Sequence, residues 1–109
     1  MTLDSSVTAT PEEDRVVFEY TVENVGDAPA EITFRNGLSA DFAVLDDGDE
    51  IWRASDGQMF TQALRTETVD AGDSETFTEA WDDPDPGDYT VVATLNAGPD
   101  AEARTDFSV

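Results

Sequence analysis

The chain contains no cysteine, no histidine and no lysine, and each absence excludes a class of chemistry. Without cysteine there is no disulfide framework, no thiolate nucleophile and no thiolate-ligated metal. Without histidine there is no imidazole acid, base or metal ligand, and without lysine there is no Schiff base. Neither a GxSxG motif nor a glycine-rich phosphate loop occurs. We therefore expect a binding module that is not an enzyme, with no catalytic residues and no cofactor.

Positive charge is also scarce in the 109 residues. There are 26 Asp plus Glu against 5 basic residues, all arginine, so the formal net charge is 5 − 26 = −21. Because phosphate backbones are bound by basic faces, no nucleic acid partner is expected. No run of eighteen apolar residues occurs, and the N-terminal MTLDSSVTATPEEDR lacks the features of a signal peptide. We expect no membrane association and a cytoplasmic protein; export is the alternative if a leader once preceded Met1.

The excess of carboxylates has a physical interpretation. Replacement of lysine by Asp and Glu is typical of proteins that work in molar salt, most often from halophilic archaea. At about 1 M salt the Debye length is about 3 Å, so neighbouring carboxylates repel weakly. At low salt the same charges oppose the compact state. The composition thus predicts an archaeal, halophilic protein that needs high salt for stability.

Apolar residues alternate with polar ones in short segments separated by turn residues, which is typical of an all-β fold. The pattern is strongest in residues 15–23 and 89–96. We predict one immunoglobulin-like antiparallel β-sandwich of about eight strands, forming a single domain over residues 1–109. The predicted strand segments are 2–9, 15–23, 30–35, 41–46, 50–54, 63–69, 74–81, 89–96 and 102–109.

The same alternation predicts the core and several local features. Leu64 and Val69 are the apolar markers of segment 63–69, and residues 97–100 are expected to turn. Gly87-Asp88-Tyr89 looks like a tyrosine corner, in which a tyrosine hydroxyl bonds back to a nearby backbone group. The predicted core consists of Phe18, Tyr20, Phe34, Phe42, Trp52, Phe77, Trp81, Val91 and Leu95.

Two acidic turns could supply oxygen ligands to a hard cation. One contains Asp46, Asp47, Asp49 and Glu50, and the other contains Asp82, Asp83, Asp85 and Asp88. Neither matches an EF-hand loop, and clusters are expected by chance among 26 carboxylates. We interpret both as solvated turns and predict no metal site. Arg35 and Arg53 lie in predicted strands, where we expect cross-strand ion pairs.

A loop between two predicted strands is the candidate binding site. It carries almost no charge in a highly charged protein, and Met59 and Phe60 place two large apolar side chains side by side. Apolar loop tips on rigid scaffolds are typical of binding loops. The alternative is that Phe60 folds back over one end of the core. The candidate contact residues are Ser55, Asp56, Gly57, Gln58, Met59, Phe60, Thr61 and Gln62.

Several stretches together resemble a known family. They are FEYTVEN (18–24), ITFRNG (32–37), DFAVLDDGDEIWRAS (41–55), MFTQAL (59–64), AGDSETFTEAW (71–81) and PGDYTVVATL (86–95). In this order they resemble the BsuPI-type intracellular proteinase inhibitors, of which this chain looks like an acidic, haloarchaeal-like member. The resemblance implies an immunoglobulin-like fold and inhibition of an intracellular serine protease of the subtilisin type.

If the chain inhibits such a protease, an exposed extended segment would pair with the enzyme and one side chain would fill its specificity pocket. Subtilisin-type pockets accept large apolar groups, so the resemblance favours Met59 for this role, with Phe60 second. A second hypothesis is a non-catalytic immunoglobulin-like adhesion or assembly module of a halophile.

Overall fold

A computed structural model describes residues 3–34, 39–55, 64–98 and 101–109. All regular structure in these ranges is β, which confirms the predicted class, and the described part has ten strands, one more than the nine predicted segments. The strands are β1 (Leu3–Pro11), β2 (Arg15–Asn24), β3 (Ala30–Phe34), β4 (Ala40–Asp46), β5 (Asp49–Arg53), β6 (Arg65–Val69), β7 (Ser74–Asp82), β8 (Asp88–Leu95), β9 (Ala97–Gly98) and β10 (Glu102–Ser108).

The first sheet has the order β1-β2-β7, with antiparallel pairing throughout. Its central strand shows the predicted alternation, because every second residue of β2 faces the interior. Val16, Phe18, Tyr20 and Val22 are fully buried, whereas Glu19 and Glu23 on the opposite face are exposed.

The second sheet has the order β10-β8-β4-β5, and β5 lies at its edge. A two-residue turn joins β4 to β5, with positive φ at Asp47 (51°) and Gly48 (87°). Two successive positive φ values are characteristic of a type I′ turn, for which Asp-Gly is a preferred dipeptide. A β-bulge between Val44 and Leu45 then shifts the register of the hairpin.

The third sheet has the order β6-β3-β9 and corrects one prediction. Ala97 and Gly98 do not turn, because they pair with Phe34 and Thr33 of β3 as the two-residue strand β9. Ala97 is fully buried, so backbone pairing and burial together outweigh the turn tendency of the Ala-Gly-Pro-Asp sequence.

Leu64 corrects a second prediction. It is one of the two predicted apolar markers of segment 63–69, but its side chain is 72% exposed. The paired strand starts one residue later, where Arg65 lies opposite Phe34. Residues five apart in a strand point to opposite faces, so Leu64 cannot share the buried face of Val69.

The core contains residues of all three sheets and is rich in aromatic rings. Phe18 contacts Phe42, Trp52 and Phe107 of the second sheet at centroid distances of 6.1, 6.0 and 5.5 Å. Nine predicted core residues take part as expected, with Trp52 and Phe77 only partly buried. The buried cluster also contains residues beyond these nine, among them Val16, Ile32, Val44, Tyr89 and Phe107.

The predicted tyrosine corner is confirmed at the start of β8. The Tyr89 hydroxyl donates a hydrogen bond to the carbonyl of Asp85 at 2.7 Å. The ring packs against Trp81, with the centroids 5.0 Å apart. A Cβ atom at Gly87 would lie 3.1 Å from the Tyr89 hydroxyl oxygen, which explains why glycine precedes the corner.

Candidate functional site

Of the candidate loop Ser55–Gln62, the structure describes only the first residue. Ser55 is described, whereas Asp56–Gln62, including Met59 and Phe60, lie outside the described residues. The structure does describe the two chain segments next to the loop. These are the end of β5 with Ala54 and Ser55, and Leu64 with the start of β6.

Asp41 anchors the first of these segments. Ala43 of β4 pairs with Arg53 of β5, so Asp41 lies where the same ladder would reach Ser55. Asp41 Oδ1 accepts hydrogen bonds from the backbone N–H groups of Phe42 (2.9 Å) and Ser55 (3.1 Å). Asp41 Oδ2 accepts hydrogen bonds from Ser55 Oγ (2.7 Å) and Arg53 Nη1 (2.6 Å). One carboxylate thus holds the backbone and the side chain of Ser55 together.

One further contact and the burial of Asp41 strengthen this anchor. The Ala54 N–H donates to the carbonyl of Phe42 at 2.9 Å, which extends the β4–β5 pairing past the end of β5. The Asp41 side chain is only 13% exposed, and a carboxylate so far removed from water requires several donors. Its four hydrogen bonds meet that requirement, so the position of Ser55 relative to β4 is fixed.

Arg53 forms the cross-strand ion pair that the sequence predicted for it. Its Nη2 atom lies 2.6 Å from Glu50 Oε1, and its Nη1 atom lies 2.6 Å from Asp41 Oδ2 on the neighbouring strand. The hydrogen bonds to Glu50 and to Asp41 raise the pKa of the guanidinium, so Arg53 stays charged. Arg35, the other predicted partner in an ion pair, lies outside the described residues.

Glu79 brings another carboxylate toward this group from the first sheet. It lies on β7 opposite the buried Phe18, on the face that also carries Trp81. Partial loss of hydration raises the pKa of Glu79, and the negative charge of Asp41 raises it further. Asp41 is therefore coupled electrostatically to Glu79, and Arg53 is the cation that pairs with Asp41.

The second segment is anchored by Arg65 at the start of β6. Its guanidinium carbon lies 4.4 Å above the centre of the Phe34 ring, a cation–π contact. Arg65 Nη2 also donates a hydrogen bond to Ser39 Oγ, and Arg65 Nε lies 3.9 Å from Glu67 Oε2. Leu64, next to this anchor, projects an apolar side chain into solvent. The described residues on both sides of the loop are thus tied to the sandwich.

The two acidic turns have a structural role in the described part of the chain. Asp47 and Asp83 each adopt a positive φ of 51°, a conformation that aspartate tolerates better than most residues. Glu50 binds Arg53, and Asp88 accepts a hydrogen bond from Ser108 at 2.6 Å. Within the described ranges, no group of three or more acidic side chains is arranged to hold a metal ion.

Most of the chain matches the sequence model of one protein family. Residues 3–99 match the sequence model of the BsuPI family, described as intracellular proteinase inhibitors, so the chain belongs to this family. Proteins of this family are generally non-catalytic. A comparison with curated protein sequences gives no match. The described part of the chain holds no helix capable of spanning a bilayer.

Solved structures of similar shape establish the immunoglobulin-like fold. The CARDB domain of a Pyrococcus furiosus protein, determined with di-metal ions, is similar over 99% of this chain and 92% of that one, at 16% identity and a TM-score of 0.53. Two β-glucosidases also contain a similar unit, at 14% identity and a TM-score of 0.50 for Kluyveromyces marxianus and at 11% and 0.52 for Erythrobacter marinus. These two matches include 99% and 98% of this chain, but only 14% and 15% of the two enzymes.

Sequence reasoning did not identify Asp41 as a site residue. The residue lies in the DFAVLDDGDEIWRAS stretch, and the turn at Asp47-Gly48 alone would pair it with Ala54 instead of Ser55. The bulge shifts the register by one residue and brings Ser55 opposite Asp41. The position of Asp41 opposite Ser55 could therefore not be predicted, because no residue in the hairpin indicates the bulge.

Proposed function

We propose that the protein inhibits a serine protease of the subtilisin type through Ser55–Gln62. Family membership supports the inhibitory activity. The anchoring of Ser55 by the Asp41 carboxylate is the observation that supports the location, because it ties the start of this segment to the sandwich. In this proposal Met59 enters the specificity pocket of the protease, and Phe60 is the alternative occupant.

The mechanism follows from the general physics of inhibitory loops. An extended segment pairs its backbone with the substrate-binding strands of the enzyme, and one side chain supplies most of the specificity. A segment whose ends are already ordered loses less conformational entropy on binding. Arg65 on Phe34 and Asp41 on Ser55 hold the flanking residues in place before any enzyme arrives.

We further propose that the inhibitor meets its protease inside the cell and at high salt. The family description supports action inside the cell, on a cytoplasmic protease. A net charge of −21 favours work at high salt, where long-range repulsion from an acidic enzyme is screened. The partner is thus a protease that remains active in molar salt.

An inhibition assay against a salt-tolerant subtilisin-type protease in molar KCl tests the proposal. The wild-type protein is expected to inhibit stoichiometrically, and the double variant Met59→Asp/Phe60→Asp is expected to lose at least about a hundredfold in affinity. Truncating interface anchors commonly costs 2 kcal/mol or more each, and a charge in an apolar pocket adds a desolvation cost.

Val25→Asp is the matched control, because Val25 is an exposed apolar residue in the turn after β2. It adds a carboxylate to the surface at a position outside the candidate loop in the sequence and is expected to inhibit like the wild type. Full inhibition by a folded Met59→Asp/Phe60→Asp variant would contradict the assignment of the loop. Absence of inhibition by the wild-type protein would contradict the activity itself.

A further inference from the structure

Two neighbouring rows of side chains cross all four strands of the second sheet on its outer face, the face turned away from the core. Val92 marks this face, because Val91 and Ala93 on either side of it are fully buried. In the order β10, β8, β4 and β5, the arginine row consists of Arg104, Val92, Ala43 and Arg53. In the same order, the carboxylate row consists of Asp106, Thr90, Leu45 and Glu50. Both rows thus have charged residues at their ends and uncharged residues in the middle.

The outer face is open to solvent at its charged ends. The Arg104 side chain is 65% exposed. Arg53 and Glu50 remain 41% and 45% exposed although they form an ion pair with each other. Between the charged ends, Val92 and Leu45 are partly buried. An apolar centre with a charged, exposed rim is the usual anatomy of a protein–protein interface.

The charges of the two rows make the outer face complementary to itself. A two-fold axis that runs across the strands, midway between the rows, places the arginine row of one copy over the carboxylate row of a second copy. Arg104 then faces Asp106 of the second copy, and Arg53 faces Glu50 of the second copy. Each contact occurs twice, once in each direction, which is the defining property of an isologous interface.

The middle of the outer face fits the same axis. Ala43 comes to lie over Leu45 of the second copy, so that a small side chain meets a large one. Val92 comes to lie over Thr90 of the second copy, whose methyl group can pack against it. Sheets that face each other in this way pack about 10 Å apart with their side chains interdigitated.

A concave region beside the carboxylate row provides room for a long side chain. The cavity has a volume of about 450 Å³, and Asp106, Thr90 and Leu45 are among the residues that line it. Arg104 of the second copy, which the two-fold axis brings opposite Asp106, can extend its guanidinium into this space. The concavity and the charge of Asp106 therefore fit the same group.

The size of the outer face is that of a weak dimer. Four strands about 4.8 Å apart and the seven residues of β10 at about 3.3 Å each give a flat area of about 19 by 23 Å per copy. Two copies together would bury about 900 Å², within the range below about 1,200 Å² in which weak and transient complexes lie.

We propose that the protein forms a two-fold symmetric dimer at high salt through the outer face of the second sheet, with Arg104 and Asp106 as reciprocal contacts. Two copies that each carry a net charge of −21 repel each other in dilute buffer. At about 1 M salt the Debye length is about 3 Å, so the long-range repulsion is screened and the close contacts of the two rows determine association. The inference does not depend on the proposed function.

Reversal of single charges tests the reciprocal contacts. In a dimer, Arg104→Glu places two carboxylates opposite each other at both contacts, and Asp106→Arg places two arginines opposite each other. Each variant alone is expected to dimerise at least about tenfold more weakly than the wild type, because like charges are then juxtaposed. An equimolar mixture of the two variants has opposite charges at both contacts and is expected to regain dimerisation. Sedimentation equilibrium in molar KCl measures the dissociation constants.

Arg15→Glu is the matched control. It makes the same change in net charge as Arg104→Glu, but Arg15 lies on β2 of the first sheet, where it pairs with Glu12. Its dimerisation is expected to equal that of the wild type. Should Asp106→Arg not fold, Asp106→Asn takes its place, and its mixture with Arg104→Glu is still expected to dimerise more tightly than Arg104→Glu alone.

Each outcome decides the inference. A mixture that dimerises more tightly than either variant alone supports it. A wild type that stays monomeric in molar KCl, a mixture no tighter than its components, or an equal loss in Arg104→Glu and Arg15→Glu overturns it. A dimer that Arg104→Glu leaves unchanged uses another surface and overturns it as well. If the wild type is monomeric and Arg104→Glu weakens protease inhibition, the protease occupies this face, so the dimer fails while the inhibitory activity stands.

Discussion

Gly87 and Tyr89 form a small unit in which the position of the Tyr89 ring leaves no room for a larger residue at position 87. The Tyr89 hydroxyl reaches back to the Asp85 carbonyl, and the ring passes so close to Gly87 that a Cβ there would lie 3.1 Å from Oη and 3.2 Å from Cζ. The restriction is steric, since Gly87 is not among the glycines with positive φ. The unit fixes the start of β8, which lies at the centre of the second sheet.

We expect Gly87→Ala to destabilise the fold by about 1–3 kcal/mol, because the tyrosine ring must move within a packed core. Tyr89→Phe is the comparison, with an expected loss of about 1 kcal/mol for the hydrogen bond to Asp85. Urea denaturation in high salt measures both. If Gly87→Ala is as stable as the wild type, the close approach of the ring is not a constraint.

Glu79 is a residue whose charge opposes folding. Partial desolvation and the nearby Asp41 carboxylate raise its pKa in the folded state above the unfolded value. A raised carboxyl pKa means that the ionised form is less favourable in the folded state. This destabilisation is fully present above the folded-state pKa and disappears as the pH falls below the unfolded-state pKa.

Glu79→Gln is therefore expected to be more stable than the wild type at neutral pH, with the difference shrinking as the pH falls. Glu75→Gln on the same strand removes an equal charge and controls for the change in net charge. Thermal melts of the wild type and the two variants, from neutral pH down to acidic pH, give the melting temperatures to be compared. A Glu79→Gln effect that equals the Glu75→Gln effect at every pH would contradict a specific role for Glu79.

At the level of elements, the register of the β4–β5 hairpin determines that Ser55, where the candidate loop begins, lies opposite Asp41. The hairpin turn sets the starting register, and the bulge after it shifts that register by one residue. Because of the shift, Trp52 lies opposite the buried Val44 and packs against Phe18 and Trp81, at 6.0 and 6.3 Å. The same shift puts Glu50 and Arg53 on one face, where they form their ion pair.

Gly48→Ala tests the turn. No atom lies within 4 Å of the position of an added Cβ, so the cost comes from the positive φ of 87° alone. We expect a loss of about 1–2 kcal/mol, the usual cost of a left-handed conformation for a residue with a side chain. Urea denaturation measures the loss, and Asp49→Ala at the first residue of β5 is the control. An effect no larger than that of the control would mean that the turn does not restrict this position.

On the scale of the whole molecule, the large excess of negative charge is a source of repulsion. With −21 spread over 109 residues, like charges meet even across paired strands. Asp4 lies directly opposite Glu23 on the exposed face of the first sheet, an arrangement that destabilises a sheet at low salt. Four described arginines balance only part of this repulsion, through partners such as Glu12, which lies 2.8 Å from Arg15.

We expect the melting temperature to rise by on the order of 10 °C between dilute buffer and molar KCl, since screening shortens the range of repulsion to about 3 Å. Glu23→Gln removes one member of the opposed pair and is expected to melt higher than the wild type only at low salt. A melting temperature that does not change with KCl would contradict the proposed dependence on high salt.

The sequence alone determined the class of fold, most of the strands and most of the core. These follow from a period of two in apolar residues, which is a local property and survives any arrangement of the strands. The tyrosine corner could also be predicted, because its glycine, aspartate and tyrosine are adjacent along the chain. The candidate loop was identified from its composition, and its contact residues Asp56–Gln62 remain a prediction.

Only the tertiary structure decided how the ends of that loop are held. The Asp41–Ser55 contact joins residues 14 positions apart through a bulge. The short strand β9 exists because β3 offers a partner edge, and the exposure of Leu64 depends on where the pairing of β6 begins. Each of these features depends on the register between strands, and register is set by packing across the whole sandwich because the residues of any one strand fit several alternatives.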